Sequence, residues 1–427
     1  MNSKSTPAVC IIDENETVPF DRRVWLESRA LADAGFEVSV ICPVAGIHKA
    51  ARETLEGVNI YRYRAFKAES KLGYLLEYAW ALIAQFCLTL RVYAKTRFKI
   101  LHACNPPDTV FLIALFFKPL GVRFVFDHHD LSPELYALRF RPGGFLYRMV
   151  CLAEWLSLRT ADATIATNES FREVAMQRGG VSPDRIVVVQ TCAELRSLKE
   201  TVPVPELKGE RRHMVVYAGQ MEPQDGLDLL MASIRYVARE KNYTDVLFAL
   251  LGDGSELHRL RSLADEWGLN EYIRFTGRIP HSEVCTYLAT ADVCVAPDPL
   301  NPMNDNCSMI KIFEYMGYGK PVVLFELKEG RRTADGAAVF ARPNDPQDFG
   351  EQIIKLLDRP YLREELGKRG RRRVVERLNW ENEQRKLIAT YESLCGVEVE
   401  KAPMQMIDRY EDSSRKEDYG KESVRQA

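Results

Sequence analysis

Short apolar runs and stretches of helical period alternate along most of the chain. "AVCII" reads as a strand, Arg23 to Gly35 as a helix stopped by its glycine, and "EVSVICP" as a second strand. "RFVFDHHD" and "ADATIATN" follow, each an apolar run ending in polar residues. A second series opens with "MVVYAG", continues through "VLFALLGDG", "IRFTG", "ADVCVAPD" and "PVVLFE", and closes in helices near Leu394. This alternation predicts βαβ units around parallel sheets, the α/β class. In open parallel sheets ligands gather beyond the carboxyl ends of the strands, so the polar residues ending these runs come first as candidates for chemistry.

The chain has 427 residues, more than one hydrophobic core usually supports, and the pattern divides it. We expect a first α/β domain over 1–195, a linker over 196–212 where "TVPVPELKGERR" has no period, and a second α/β domain over 213–378. A helix over 379–396 is expected to pack back on the first domain. The tail, 397–427, is charge-mixed and poor in large aliphatics, and it reads as disordered.

Composition narrows the classes. With 46% hydrophobic and 28% charged residues the chain is ordinary for a soluble globular protein. Lys plus Arg at 58 against Asp plus Glu at 60 gives a net charge of -2, which offers no reason to expect a nucleic-acid partner. The 10 cysteines form no C-x-x-C pair, so neither a disulfide framework nor a zinc site is indicated, and a reducing cytoplasmic compartment fits best. Met1 to Val9 has no signal-peptide pattern. Leu72 to Leu90 is broken by Glu77 and Gln85, short of the roughly 20 apolar residues of a membrane span. Eight basic against two acidic residues from Tyr61 to Lys99, including Arg91, Lys95, Arg97 and Lys99, suit peripheral contact with an anionic membrane. A core helix over the first sheet would carry the same apolar stretch.

Several stretches could carry chemistry. In "NDNCSMIKIFEYMGYGKPVV", Asn306 or Ser308 can cap a helix whose free amides and partial positive charge would suit an anion, with Glu314 two turns further on. An ordinary capped helix with Glu314 in solvent fits the same spacing. "LLGDGSEL" puts Gly252 and Gly254 in a strand-to-helix turn, where backbone approaches a ligand or simply turns tightly. "TGRIP" places Arg278 and Ile279 in a turn. "FVFDHHDLSPELY" puts His128, His129 and Asp130 at a strand end, where neighbours face opposite sides and the two histidines cannot share one role. His129 also reads as a structural histidine bonded to Asp127 or Asp130. No third ligand has zinc spacing, and no metal is expected. Arg22 and Arg23 open a helix, a position unfavourable to its dipole, and are candidate anion ligands or else a solvated pair.

Four of these segments, "DRRVWLESRALADAGFEVSVICP", "VVYAGQMEPQDGLDLL", "LLGDGSELHRLRSLADEWGLNEYIRFTGRIP" and "KIFEYMGYGKPVV", occur in an order that resembles the family 4 retaining glycosyltransferases of the GT-B fold, from about Val9 to Leu394. The resemblance implies two Rossmann-like domains facing a cleft. It also implies a hexosyltransferase of the bacterial polysaccharide or O-antigen type, needing neither cofactor nor metal. The sugar would pass from a nucleotide donor, UDP-linked, to a polysaccharide or lipid-linked oligosaccharide acceptor. That family holds the donor through an E-x7-E motif, matched here by Asn306 and Glu314. On this resemblance Glu314 accepts from the ribose hydroxyls, the amides of Ser308, Met309 and Ile310 hold the diphosphate, and the backbone of Arg278 and Ile279 meets the nucleobase. Gly219, Gln220 and Gly252 complete the donor site, and His129 contacts the sugar and helps stabilise positive charge on its anomeric carbon; Arg22 and Arg23, where relatives have a glycine-rich loop, read from the residues as ligands for an anionic acceptor or donor phosphate.

Three positions depart from the family pattern. Asn306 replaces a glutamate, Gln220 an arginine and Asp225 a lysine. Two cations toward the diphosphate are thereby lost, and Lys311, one turn into the Glu314 helix, is the candidate to replace them unless it is merely solvated. The pair of carboxylates expected of a glycosidase does not stand out, and no D-x-D triplet occurs. A nucleotide-sugar epimerase on the same fold and a catalytically degenerate nucleotide-binding scaffold are the competing readings.

Overall fold

The computed structural model describes residues 6–46, 48–65, 71–198 and 201–396, so the tail expected to be disordered lies outside the described residues. The first sheet has eight strands: β1 (Ala8–Ile12), β2 (Glu37–Pro43), β3 (Arg52–Leu55), β4 (Val58–Tyr63), β5 (Ile100–Cys104), β6 (Arg123–His128), β7 (Ala163–Ala166) and β8 (Ile186–Val188). Their order is β3-β4-β2-β1-β5-β6-β7-β8, parallel throughout except for the β3–β4 hairpin. The second sheet, β9 (His213–Ala218), β10 (Val246–Leu251), β11 (Ile273–Gly277), β12 (Val293–Ala296), β13 (Val322–Phe325) and β14 (Ala338–Ala341), is parallel with order β11-β10-β9-β12-β13-β14.

Each sheet is buried on both faces, which explains why its strands read as continuous apolar runs. Cys10, Ile12, Leu101 and Phe124 pack on one face of the first sheet, and Val9, Ile11, Val38 and Val125 on the other. Val215, Tyr217 and Phe248 oppose Met214, Val216 and Leu247 in the same way in the second. The β3 strand is the exception: "RETL" lies at a sheet edge with exposed and half-buried positions, so it has no apolar run to betray it.

The strand order reverses beside β1 and again beside β9. At such switch points the loops leaving adjacent strands diverge and open a crevice. The loops after β1, β5, β9 and β12 are therefore the ones placed to build a site.

The linker region holds two short 3-10 turns, Leu195–Ser197 and Pro205–Lys208. The last described helix, Trp380–Cys395, begins at an Asn379 cap and buries Trp380, Leu387 and Tyr391 among residues of the first sheet. Its Trp380 amide donates to the Ala193 carbonyl at 3.1 Å. No helix among the described residues is long and apolar enough to cross a membrane.

Candidate active site

The helix Ile310–Gly317 carries the motif that raised the first functional question. Its fixed position has two sources. The Ala218 amide at the end of β9 donates to Tyr315 Oη at 2.8 Å, and the helix Pro360–Glu376 presses on its other side. That approach needs glycine: a Cβ on Gly367 would lie 2.1 Å from the Gly319 carbonyl oxygen. The helix starts at Met309, and among the described residues no side chain caps it. This corrects the expected cap. Asn306 sits in a preceding 3-10 turn and donates its amide to the Pro302 carbonyl at 2.8 Å, while Ser308 Oγ turns to Glu329 at 3.4 Å. The N-terminal end of the helix thus keeps its positive partial charge without a side-chain acceptor, the arrangement an anion can use.

Gly219, Gly252 and Lys311 come together here. Gly252 has a φ of 136°, and a Cβ there would sit 1.8 Å from the Gly219 carbonyl oxygen, so its glycine is demanded by the interlock of two loops. Gly254 is pinned likewise, 2.4 Å from the Met221 carbonyl oxygen. A Cβ on Gly219 would lie 3.6 Å from Lys311 Cε. Lys311 itself is not the solvated lysine that spacing alone allowed. Its ammonium stands 2.8 Å from Asp298 and 3.4 Å from Asp225, 5.0 Å above the Tyr217 ring. Burial would lower its pKa, yet Asp298 and Asp225 hold it above the ordinary value. Burial pushes the Asp225 carboxyl up against the pull of Lys311. Asp225 is thus a partner for Lys311, and the Gln220 carbonyl accepts from Tyr217 Oη.

The opposite wall is built on Asp127, fully buried near the end of β6. Arg23 grips it bidentately, Nε to Oδ2 at 3.1 Å and Nη2 to Oδ1 at 2.9 Å, and also reaches the Val189 carbonyl, Thr191 Oγ1 and Glu27. Arg23 is 6% exposed and its donors are all taken inside the first domain. The expectation that Arg22 and Arg23 act together as acceptor ligands fails for Arg23, because residues adjacent on a helix point about 100° apart. Glu27, one turn on from Arg23, was the overlooked signal.

His129 Nε2 lies 2.5 Å from Asp127 Oδ2, so the histidine is anchored yet remains 15% exposed by side chain. Asn105 Oδ1, at the end of β5, accepts from the His129 amide at 2.5 Å and the Asp130 amide at 3.1 Å. His128 faces the other way, fully buried and stacked at 5.5 Å on Phe126. Burial would raise the Asp127 pKa, but Arg23 and His129 hold it well below the carboxylate range. Burial pushes Glu27 well up instead. His102 bonds the Tyr391 hydroxyl of the last helix and has its pKa lowered by burial. Ligand atoms of His102, Cys104 and Asp127, and of Glu27, Asp127 and His129, come within 4.8 Å of one another. The Arg23 guanidinium already lies on both carboxylates, a like charge that any cation would have to displace.

The two walls touch. Arg22 Nη1 donates to Glu314 Oε1 at 3.0 Å, and Arg278 stands 5.9 Å from the Phe20 ring centre. Ile279 is half-buried against the second domain. Asn168, beyond β7, donates to the Asn306 carbonyl at 2.8 Å and Ser308 Oγ at 3.2 Å while its Oδ1 caps its own helix, Glu169–Gly179. Buried Glu329 accepts from the Ser170 hydroxyl at 2.6 Å. Sequence reading missed Asn168, Glu329, Asp298 and Asn105. Of these Asn168 and Asp298, the polar residues ending the apolar runs "ADATIATN" and "ADVCVAPD", carried a local signal.

Known proteins bear on this arrangement. Residues 21–192 match the glycosyl transferase 4-like domain, and residues 212–359 match glycosyl transferases group 1. An uncharacterised glycosyltransferase of Methanocaldococcus jannaschii is 26% identical over 39% of this chain and 44% of its own length. A phosphatidylinositol N-acetylglucosaminyltransferase subunit from Arabidopsis thaliana is 21% identical over 79% of this chain and 70% of its own. Among solved structures, sucrose-phosphate synthase from Thermosynechococcus elongatus superposes with TM-score 0.75 at 19% identity, covering 91% of this chain and 99% of its own. Anabaena HepE in complex with UDP superposes with TM-score 0.68 at 15% identity, covering 90% and 100%. With both domain models matched in order and two parallel sheets meeting at the cleft, the chain belongs to the family 4 glycosyltransferases of the GT-B fold.

Proposed function

We propose that the protein is a retaining glycosyltransferase that moves a sugar from a UDP-linked donor to a polysaccharide or lipid-linked oligosaccharide acceptor. The observation that carries this reading is the helix Ile310–Gly317, uncapped by side chains and presenting the partly exposed Glu314 carboxylate to the cleft. The diphosphate would lie on the amides of Ser308, Met309 and Ile310, and a ribose diol would take the place of Arg22 on Glu314. Arg278 and Ile279 would meet the base. Gly219, Gln220, Gly252 and Asn306 would complete the donor wall, with Lys311 as its cation. UDP in the HepE structure supports the choice of nucleotide. His129, held by Asp127, would meet the sugar from the other wall. The acceptor hydroxyl would attack the face the diphosphate leaves, and the leaving phosphate oxygen would take its proton. No metal is needed in this scheme. The test is Glu314→Ala: transfer from UDP-sugars should fall below detection and UDP binding should weaken at least tenfold, with an unchanged melting temperature. Near-normal turnover would sink the assignment. UDP binding too weak to detect in the unaltered protein would favour a degenerate scaffold.

The lipid-linked acceptor has its own support. The Arabidopsis relative carries phosphatidylinositol in its name, and the first domain exposes Leu76, Ile83, Phe145, Leu146 and Trp155 on two of its helices. With Arg91, Lys95, Arg97 and Lys99 nearby in sequence, this surface suits peripheral contact with an anionic membrane at the cytoplasmic face. Sedimentation with anionic liposomes should lose most bound protein when those four residues are neutralised. Unchanged binding would argue against membrane docking.

A further inference from the structure

A cavity of about 180 Å³ opens in the first domain at the carboxyl edge of its sheet. Its walls include Glu14 after β1, Tyr63 at the end of β4, Pro106 after β5, and Glu77, Tyr78 and Trp80 from the helix Lys71–Thr96. Two of these strands, β1 and β5, flank the switch point. Pro106 directly follows Asn105, the residue that pins the His129 backbone. The cavity therefore adjoins the His129 wall and is separate from the Glu314 helix. Pockets for drug-sized ligands run to about 300–1,000 Å³, so this one suits a single small ring.

Its polar groups are built, not incidental. Gln85, fully buried behind the wall, donates to Glu14 Oε2 at 2.6 Å and to Tyr63 Oη at 3.1 Å, fixing both. Trp80 donates its indole N–H to the Arg64 carbonyl at 2.8 Å, which sets the ring plane while leaving it half-exposed. Fixed aromatic faces beside the oriented Glu14 carboxyl suit a sugar: the rings cover its apolar C–H face and the acid accepts from its hydroxyls. Burial raises Glu14 to about 7, so near neutral pH it can donate as well as accept.

The charge selects among sugars. Two glutamates line the cavity, and among the described residues no lysine or arginine does. A phosphate or uronate would find no cationic side chain there among the described residues, whereas a hydroxyl or ammonium would meet the Glu14 carboxyl. Arg22, read from sequence as a ligand for an anionic acceptor or donor phosphate, does not line this cavity and pairs with Glu314 at the facing wall. We propose that this cavity is the acceptor subsite, taking one neutral or amino-bearing sugar ring in preference to a phosphorylated or uronic one. This rests on the glycosyltransferase reading above.

The experiment is ligand-observed NMR titration of the full chain with methyl glucoside, methyl glucosaminide, methyl glucuronide and glucose 6-phosphate, with UDP binding followed separately by calorimetry. The first two should bind at least fivefold more tightly than the anionic pair. Trp80→Ala should weaken them about tenfold, Trp80→Phe should restore most of that, and both variants should keep the UDP affinity and melting temperature of the unaltered protein. Glu14→Lys should shift preference toward the anionic pair. Equal or tighter binding of the anionic sugars, failure of any sugar to bind, or indifference to Trp80→Ala would overturn the proposal. Loss of UDP binding with the Trp80-dependent sugar order intact would remove the donor reading and leave a sugar site standing.

Discussion

On the wall formed by the first domain, the ionisable groups gathered on Asp127 turn inward. Arg23, Glu27, Asp127 and His102 are buried, and only His129 emerges from their web. On the facing wall, Glu314 and Arg278 reach outward, Lys311 sits half a layer deep between two acids, and a helix terminus lies open. The contrast lies in how each wall would stabilise charge. The first holds a preformed ionic lattice whose geometry is set before any ligand arrives. The second offers dipoles and exchangeable partners, and its ion pairs can be traded for ligand contacts.

Breaking the lattice should have the largest effect. Arg23→Met leaves Asp127 buried without its guanidinium and should cost about 3–5 kcal/mol of stability, read as a lower urea midpoint. If the loss stays below about 1 kcal/mol, the lattice is not what holds this wall. Next comes Lys311→Met, which leaves Asp225 and Asp298 facing each other and should cost about 3 kcal/mol. Adding Asp225→Asn to that variant should recover part of the loss, and strict additivity of the two changes would deny their coupling. The smallest effect belongs to Arg22→Ala. Its pair with Glu314 is exposed, so stability should change by under about 1 kcal/mol. Freed of its competitor, Glu314 should bind UDP up to about fivefold more tightly by calorimetry, the affinity equivalent of that energy. Weaker UDP binding would mean that Arg22 helps the nucleotide.

The sequence made β1, β2, β6, β7 and β9 to β13 legible, because burial on both sides leaves few polar positions to interrupt the run, whereas the parallel strands β4, β5, β8 and β14 went unread. It did not reveal the β3 edge, where half the positions meet water. Glu314 was legible because its motif is local: one helix, one turn, one glycine. The pairings of Asp298 and Glu329 were not, since Lys311 stands 13 residues from Asp298 within the second domain and Ser170 stands 159 residues from Glu329 across the cleft, separations that no periodicity encodes. Arg23 shows the middle case. A spacing of four to Glu27 and the apolar Val24 and Leu31 beside it marked an inward face, yet reading two arginines as one cluster overrode that geometry.

The return of the last helix to the first domain means the backbone passes between the domains twice. The two passages lie side by side, joined where Trp380 meets Ala193, Leu195 meets Glu381 and Gln190 meets Glu383. A single connection can both bend and twist, whereas two connections tied together at three points bend while resisting torsion. The cleft should then swing like a door on a paired strap, and Glu314 would leave Arg22 and return to it along one arc.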